Sequence, residues 1–414
     1  MKNFWMAALC AVLLLGCEKA TIDVDTSLAN GSAAGEISGV WPKGSVQIIK
    51  GDVIIPEGQS LTIEEGVTVL MDTVAKPEFI VKGNLYCMGT EANPVRFTVE
   101  QGARGSGHQF GRLWGGILAA QSCTELLLDH TILEYGGATT TDASTSVKMK
   151  LYKQKAGENL PALWFANANG KLIVVNSVVR NFQEDCTYIE GGKIIFANNY
   201  FYTTGASGGE AMNFKSGCLA DIAYNVVYSA NTNALKLSNS GEKVPQTYII
   251  AYNNTMVNTG WRRPTAKGGS VWLESTVRAD LVNNLFINTR FGIKRDTKKP
   301  EDSRSVVSNN LYYGYDQTTV NQFQVTSDIV GGTDEIRGTN AGQNDPLFVN
   351  YPLNTPMMNA AFDTSWDFHL KTGSPALGKG KADIFRHFAS GLNANGNLYV
   401  SPAPVNYIGA FGLN

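Results

Sequence analysis

Ile250-Ala251-Tyr252-Asn253-Asn254 is one of six short elements in which an apolar run closes on asparagine. The others are Ile173-Val174-Val175-Asn176, Ile195-Phe196-Ala197-Asn198-Asn199, Ile222-Ala223-Tyr224-Asn225, Leu281-Val282-Asn283-Asn284 and Val306-Val307-Ser308-Asn309-Asn310. The step between them is about 22 to 30 residues, the period of a solenoid whose repeats bury their apolar faces only against neighbours. Such a coil has room for three short strands and three turns. The corner asparagines are expected to stack as amide ladders that satisfy buried polar groups. Asp129, in Leu127-Leu128-Asp129-His130, is expected to stand in for asparagine in an earlier coil.

Outward from these elements the chain keeps the pattern of strands. Val53-Ile54-Ile55-Pro56-Glu57-Gly58, Leu61-Thr62-Ile63-Glu64-Glu65-Gly66 and Phe79-Ile80-Val81-Lys82-Gly83 alternate with period two and close on glycine. A sustained 3.6-residue period is missing, which disfavours a helical solenoid. The run from Ile54 to Val67 resembles the opening coils of right-handed parallel β-helix surface lipoproteins of the Bacteroidetes type, within the pectate-lyase-like solenoids. Asn93-Pro94-Val95-Arg96-Phe97 and Trp114-Gly115-Gly116-Ile117 resemble the next landmarks of that group. Asp345-Pro346-Leu347-Phe348, Asp367-Phe368-His369-Leu370, Gly373-Ser374-Pro375-Ala376 and Ile408-Gly409-Ala410-Phe411 resemble its closing coils. The resemblance implies an all-β, right-handed parallel β-helix over residues 39–337, with an N-terminal cap and an irregular closing segment over 338–414. It implies no particular chemistry, because this scaffold carries lyases, hydrolases, adhesins and proteins without known activity.

The first 17 residues read as an address. Lys2 precedes an apolar stretch from Phe4 to Leu15, too short to span a bilayer and shaped like a secretory signal. Leu14-Leu15-Gly16-Cys17 resembles a bacterial lipobox, which implies acylation of Cys17 and anchoring to the outer membrane through lipid. Residues 18–38 are small and polar and read as a flexible tether.

Composition narrows the function classes. With 43 glycines, 14 prolines and only 17% charged residues, the chain suits many tight turns and little surface helix. A net charge of −2 argues against a nucleic-acid partner. The four histidines are scattered and no cysteines form a CxxC pair, so neither zinc nor another metal is expected. Calcium has no supporting motif, and no cofactor is expected. Cys87, Cys123, Cys186 and Cys218 are expected as separate buried thiols, although Cys186 and Cys218 fall in consecutive coils.

The repeat also aligns the strands that precede the asparagine elements. Phe165, Ile189, Phe214, Leu237, Leu273 and Ile293 are expected to face inward, since side chains alternate across a strand. Two outward columns follow: Trp164, Tyr188, Asn213, Lys236, Trp272, Gly292, and Ala166, Glu190, Lys215, Ser238, Glu274, Lys294. Neighbours in a column lie about 4.8 Å apart, which puts Trp164 and Trp272 about 19 Å apart. Exposed aromatics bordered by Glu190, Asn213, Lys215, Lys236 and Glu274 can stack sugar rings and bond their hydroxyls. Loops over residues 139–157 or 260–268 can instead fold over those rings and bury them.

Three functions are therefore open. The first is a lipid-anchored, non-catalytic, monomeric protein that binds a polysaccharide or surface protein through the outward face. The second is a polysaccharide lyase with Lys215 or Lys236 as base, its pKa lowered by the neighbouring lysine, and Arg262 neutralising a uronate carboxylate. The third is a structural or partner-binding subunit of an outer-membrane complex. Hydrolysis is disfavoured, because Glu190 and Glu274 lie three coils apart, about 14 Å, wider than a glycosidase pair.

Overall fold

In the computed structural model the described residues are 29–206, 208–265 and 268–414, and their chain winds as a parallel β-helix. The signal, the Cys17 lipobox and residues 18–28 lie outside this range. The coils present three faces. The first is a 10-stranded parallel sheet that starts at Gly39–Trp41 and runs through Lys171–Val175, Gly192–Ala197, Cys218–Ala223 and Tyr248–Tyr252 to Val306–Ser308. The second and third faces join in a 19-stranded sheet, because the long strand Val46–Ile55 pairs with Thr68–Met71 at one end and with Phe79–Val81 at the other. The second face continues through Thr131–Glu134, Val178–Phe182, Tyr200–Thr204 and Val226–Ala230 to Leu311–Tyr313. The third carries Leu163–Phe165, Thr187–Ile189, Met212–Phe214, Asn233–Ser238, Gly269–Glu274 and Ile293–Arg295. Phe165, Ile189, Phe214, Leu237, Leu273 and Ile293 are all fully buried in the core between the faces.

The asparagine corners resolve into two ladders on adjacent residues. Asn199, Asn225, Asn254, Asn284 and Asn310 form the inner one, each wholly buried. Asn199 Nδ2 donates to the Val174 carbonyl at 2.8 Å and to Asn225 Oδ1 at 2.9 Å, and the pattern repeats from Asn225 to Asn254 and from Asn254 to Asn284. Each amide oxygen also accepts the backbone N–H of the preceding coil's ladder residue. The outer ladder sits one residue earlier, at Asn176, Asn198, Tyr224, Asn253, Asn283 and Asn309, where φ is 51° to 60°. Asparagine tolerates this left-handed corner better than most L-residues do. Asp129 is not the stand-in for these residues. It pairs with Val175, and the corner falls on His130 (φ 44°), while Thr131 takes the inner position. Asp129 instead accepts from Asn176 Nδ2 and contacts His130 Nδ1 at 2.7 Å.

One boundary differs from the sequence reading, and one segment does more than expected. Ala29–Glu36, assigned to the tether, forms a strand parallel to Val46–Ile55. The segment from Gly338 does more than close the last coil, for it runs back along the outside of the solenoid. Asn253 and Asn283 hold it by bonds to Tyr407, Lys381 and Val405 carbonyls, and Asp221 accepts the His387 and Phe388 N–H groups and the Ser401 hydroxyl. Phe362, Trp366 and Phe368 of this segment pack with Tyr202 and Tyr228 on the second face. The four cysteines are free and buried. Among the described residues no helix is long and apolar enough to cross a membrane.

Candidate functional site

The third face is where outward side chains form columns, and its register follows the backbone pairing. Trp164 pairs with Tyr188, Tyr188 with Asn213, Asn213 with Lys236, Lys236 with Trp272, and Trp272 with Lys294. Gly292 therefore does not end this column. The chain reaches the last coil two residues later than the sequence alignment assumes, so Lys294 stacks on Trp272 and leaves the Glu274 column. The slip is even, and Ile293 accordingly keeps its inward direction.

Residues 136–161 fold over the upstream end of this face. Thr145 Oγ1 binds Asp52 at 2.5 Å, and Ser146 donates its N–H and hydroxyl to the two oxygens of Glu78. These bonds set Tyr152 edge-on against Trp164 and Tyr188, with ring centroids 6.4 Å and 5.2 Å away. Trp164 is only 5% exposed as a result and packs with Ile80, Leu118 and Leu160. Of the two arrangements the sequence leaves open, Trp164 takes the covered one: the loop over residues 139–157 satisfies most of its apolar area, and Trp164 is not the exposed ligand-binding ring of the other reading. Asn213 is likewise buried, whereas Tyr188, Glu190, Lys215, Lys236, Trp272 and Glu274 keep partial exposure.

Between the loop and the strands lies a cavity of about 660 Å³, walled by Tyr152, Trp164, Ala166, Tyr188, Glu190 and Lys243. That size suits a small organic ligand or a sugar residue or two. Its polar groups are fixed in place. The Trp164 indole donates to Glu190 Oε2 at 2.7 Å, and the Lys243 ammonium donates to the Ala166 and Glu190 carbonyls. Lys243 arrives from a turn after Asn233–Ser238, outside the aligned columns, so the periodicity gave no sign of it. Burial lowers its pKa from the ordinary lysine value.

Further along the face the two lysines have different fates. Lys236 lies 3.8 Å from Glu274, whose other oxygen takes the Trp272 indole N–H at 2.7 Å. Burial works to raise the Glu274 pKa, but the Lys236 charge and this N–H hold it below the usual value. Among the described residues Lys215 has no ion-pair partner, and its ammonium sits 5.4 Å from the centre of the Tyr188 ring. Burial, and then the charge of Lys236, lower its pKa. Among the described residues Glu190 pairs with neither lysine; its carboxylate takes the Trp164 indole N–H instead.

Arg262 does not reach this face. Its guanidinium bonds the carbonyls of Thr204, Gly205 and Ser229 and the Ser229 hydroxyl, and it lies over the Phe110 ring. Burial lowers its pKa to about 10, and its role is to close a turn of the second face. A uronate carboxylate therefore cannot be neutralised by Arg262 on the Lys215 side.

The alignment also missed two acids. Asp185 and Glu210 each precede a third-face strand by two residues and occupy matching positions in successive coils. The shared offset, Asp185-Cys186-Thr187 against Glu210-Ala211-Met212, was legible but fell just before the aligned segments. The two acids are neighbours, the Glu210 N–H donating to Asp185 Oδ1 at 2.8 Å. A scan against family models finds no match, and no curated protein matches the chain. The chemistry of this face therefore carries the functional reading.

Proposed function

We propose that the protein is a lipid-anchored component of the cell envelope that binds a glycan, without cleaving it, along the third face of its parallel β-helix. The cavity beside Tyr188 is the observation that carries this reading. Aromatic rings, two carboxylates each oriented by an indole N–H, and the ammonium groups of Lys215, Lys236 and Lys243 lie along the face from Trp164 to Trp272. Sugar rings stack on aromatic faces while their hydroxyls take directional hydrogen bonds, and this strip offers both. The N-terminal resemblance to a lipobox, and that of the coils to Bacteroidetes surface lipoproteins of the pectate-lyase-like group, support the proposal of a domain held where envelope glycans lie.

Affinity electrophoresis in gels cast with pectin, alginate, xylan or chondroitin sulfate tests the proposal. Tyr188→Ala and Trp272→Ala should each weaken retention about tenfold, the loss of one stacking contact at about 1.4 kcal/mol. The double variant should migrate as in a plain gel. Variants retarded like the wild type on the retaining polysaccharide remove the groove proposal. Trp164 is left unchanged, because its replacement opens the packed loop.

Lyase action is the second reading, favoured by the lowered pKa of Lys215, whose ammonium has no ion-pair partner among the described residues and rests over the Tyr188 ring. Removing the proton beside a uronate carboxylate, with cleavage of the glycosidic C–O bond at the next ring carbon and departure of that oxygen as a hydroxyl protonated by water, leaves an unsaturated uronate with ultraviolet absorbance. A rise in absorbance with alginate or pectin that disappears in Lys215→Met replaces the binding reading by this one.

A further inference from the structure

Lys243 on the cavity wall is pinned at both ends. Its backbone N–H donates to Ser216 Oγ at 3.1 Å, and its ammonium donates to the carbonyls of Ala166 at 2.6 Å and Glu190 at 2.7 Å. The side chain thus ties together three successive coils, those of Ala166, Glu190 and Ser216. Carbonyl dipoles hold a cation in position without cancelling its charge, and no carboxylate pairs with this ammonium among the described residues. An ammonium has three N–H donors, of which the carbonyls take two.

The loop side of the same cavity is also basic. Lys150 and Lys153 line it. Lys153 and Lys155 share the single carboxylate of Glu158, at 2.9 Å and 2.8 Å. Lys150 is exposed and has no ion-pair partner among the described residues. Against these ammonium groups the wall offers one carboxylate, Glu190, which already takes the Trp164 indole N–H. Lys215 and Lys236, the basic residues marked by the repeat, are not part of this wall. Like charges gathered around one cleft focus a positive potential in it, and an anion entering the cleft relieves their repulsion.

We propose that this cavity seats an acidic group of the glycan, a carboxylate or a sulfate ester, on the Lys243 ammonium, with Lys150 approaching from the loop and the Tyr188 ring beside the sugar that bears it. The assignment rests on the glycan reading and narrows it: Lys243 selects acidic over neutral polysaccharides. An oxyanion takes the remaining N–H of Lys243 as a charge-assisted hydrogen bond, while the two carbonyls keep the ammonium from following it. Glu190 stays available as an acceptor for a sugar hydroxyl.

Affinity electrophoresis of the intact chain provides the test, in gels cast with alginate (carboxylate alone), carrageenan (sulfate alone), fully esterified alginate or neutral galactomannan. Alginate or carrageenan should retain the wild type at least about tenfold more strongly than the two uncharged polymers do, the worth of one charge-assisted hydrogen bond. Lys243→Met should lose that preference, with neutral retention unchanged and a shallower dependence on salt. Lys150→Met, an exposed change on the loop, should weaken acidic retention about threefold and decides the matter if Lys243→Met does not fold. A lysine that merely tied the coils together would lower acidic and neutral retention alike. That result, equal wild-type retention on alginate and galactomannan, or acidic retention unaltered in the folded variants, overturns the assignment and leaves the glycan reading standing. Retention by no polysaccharide removes both, and retention by poly-L-glutamate alone gives the cavity to an acidic peptide instead.

Discussion

Asn199→Ala should destabilise the protein by about 3–4 kcal/mol, while Asn198→Gly, one residue away, should cost less than about 1 kcal/mol. Asn199 belongs to the inner ladder. Its amide bonds the Val174 carbonyl and Asn225 Oδ1, and its oxygen takes the Ser177 N–H. Alanine strands these groups in a dry interior, where each unpaired one costs about 1–3 kcal/mol. Asn198 is exposed, and its one side-chain bond, to Asn176, is 3.4 Å long. Its task is to hold φ at 58°, which glycine does without strain. Urea titrations followed by tryptophan fluorescence measure both. Equal midpoint shifts for the two variants would mean that the ladders are not distinct.

The second large effect concerns Glu134, a 1%-exposed carboxylate on the second face. Arg96, Arg180 and Thr98 all contact it, and Arg180 also donates to the Tyr202 hydroxyl at 2.6 Å. Glu134→Gln should destabilise the fold by about 3–5 kcal/mol, because two partly buried guanidinium groups lose their shared counter-charge. Burial alone raises the pKa of this acid, but the Arg180 and Arg96 charges outweigh it and the net shift is downward. A depressed carboxyl contributes stability above its unfolded pKa of about 4.3 and loses it as pH falls through the lower folded value. Wild-type stability should therefore decline on acidification below about pH 4.3 more steeply than that of Glu134→Gln. Thermal unfolding across pH 3 to 7 reads the difference, and parallel pH profiles would deny Glu134 this role.

The parts of the molecule that repeat were legible in the sequence. The asparagine interval exposed the coil, and period-two alternation picked out Phe165, Phe214 and Leu273 as core residues, because a strand leaves a side chain only two directions. The asparagines divide between two ladders, and Asn176 and Asn225, each the lone asparagine of its element, fall on different corner positions. Ser177 and Tyr224 fill the vacant ones. Asp129 was misplaced for the same reason: Thr131 occupies the inner position, so no asparagine marks that coil. The parts that do not repeat were not legible. The bonds of Ser146 to Glu78 and of His387 to Asp221 join residues 68 and 166 apart in sequence, and no periodicity encodes such contacts. The Ser146 bonds hold the loop that covers Trp164. Trp164 and Trp272 look alike in sequence, yet the loop carrying Tyr152 covers only the first. Arg262 is similar: a Trp-Arg-Arg-Pro turn suggests an anion clamp, but the guanidinium is consumed by three backbone carbonyls of neighbouring coils.

Hydrogen–deuterium exchange with the polysaccharide that retards the wild type most strongly tests the central claim most directly. Slowed exchange should concentrate in peptides spanning residues 149–154, 187–190, 212–215, 235–238 and 269–274, with the asparagine corners at 198, 253 and 283 unchanged. Protection confined to the asparagine corners or to residues 338–414, or no polysaccharide able to slow exchange at any site, would contradict it.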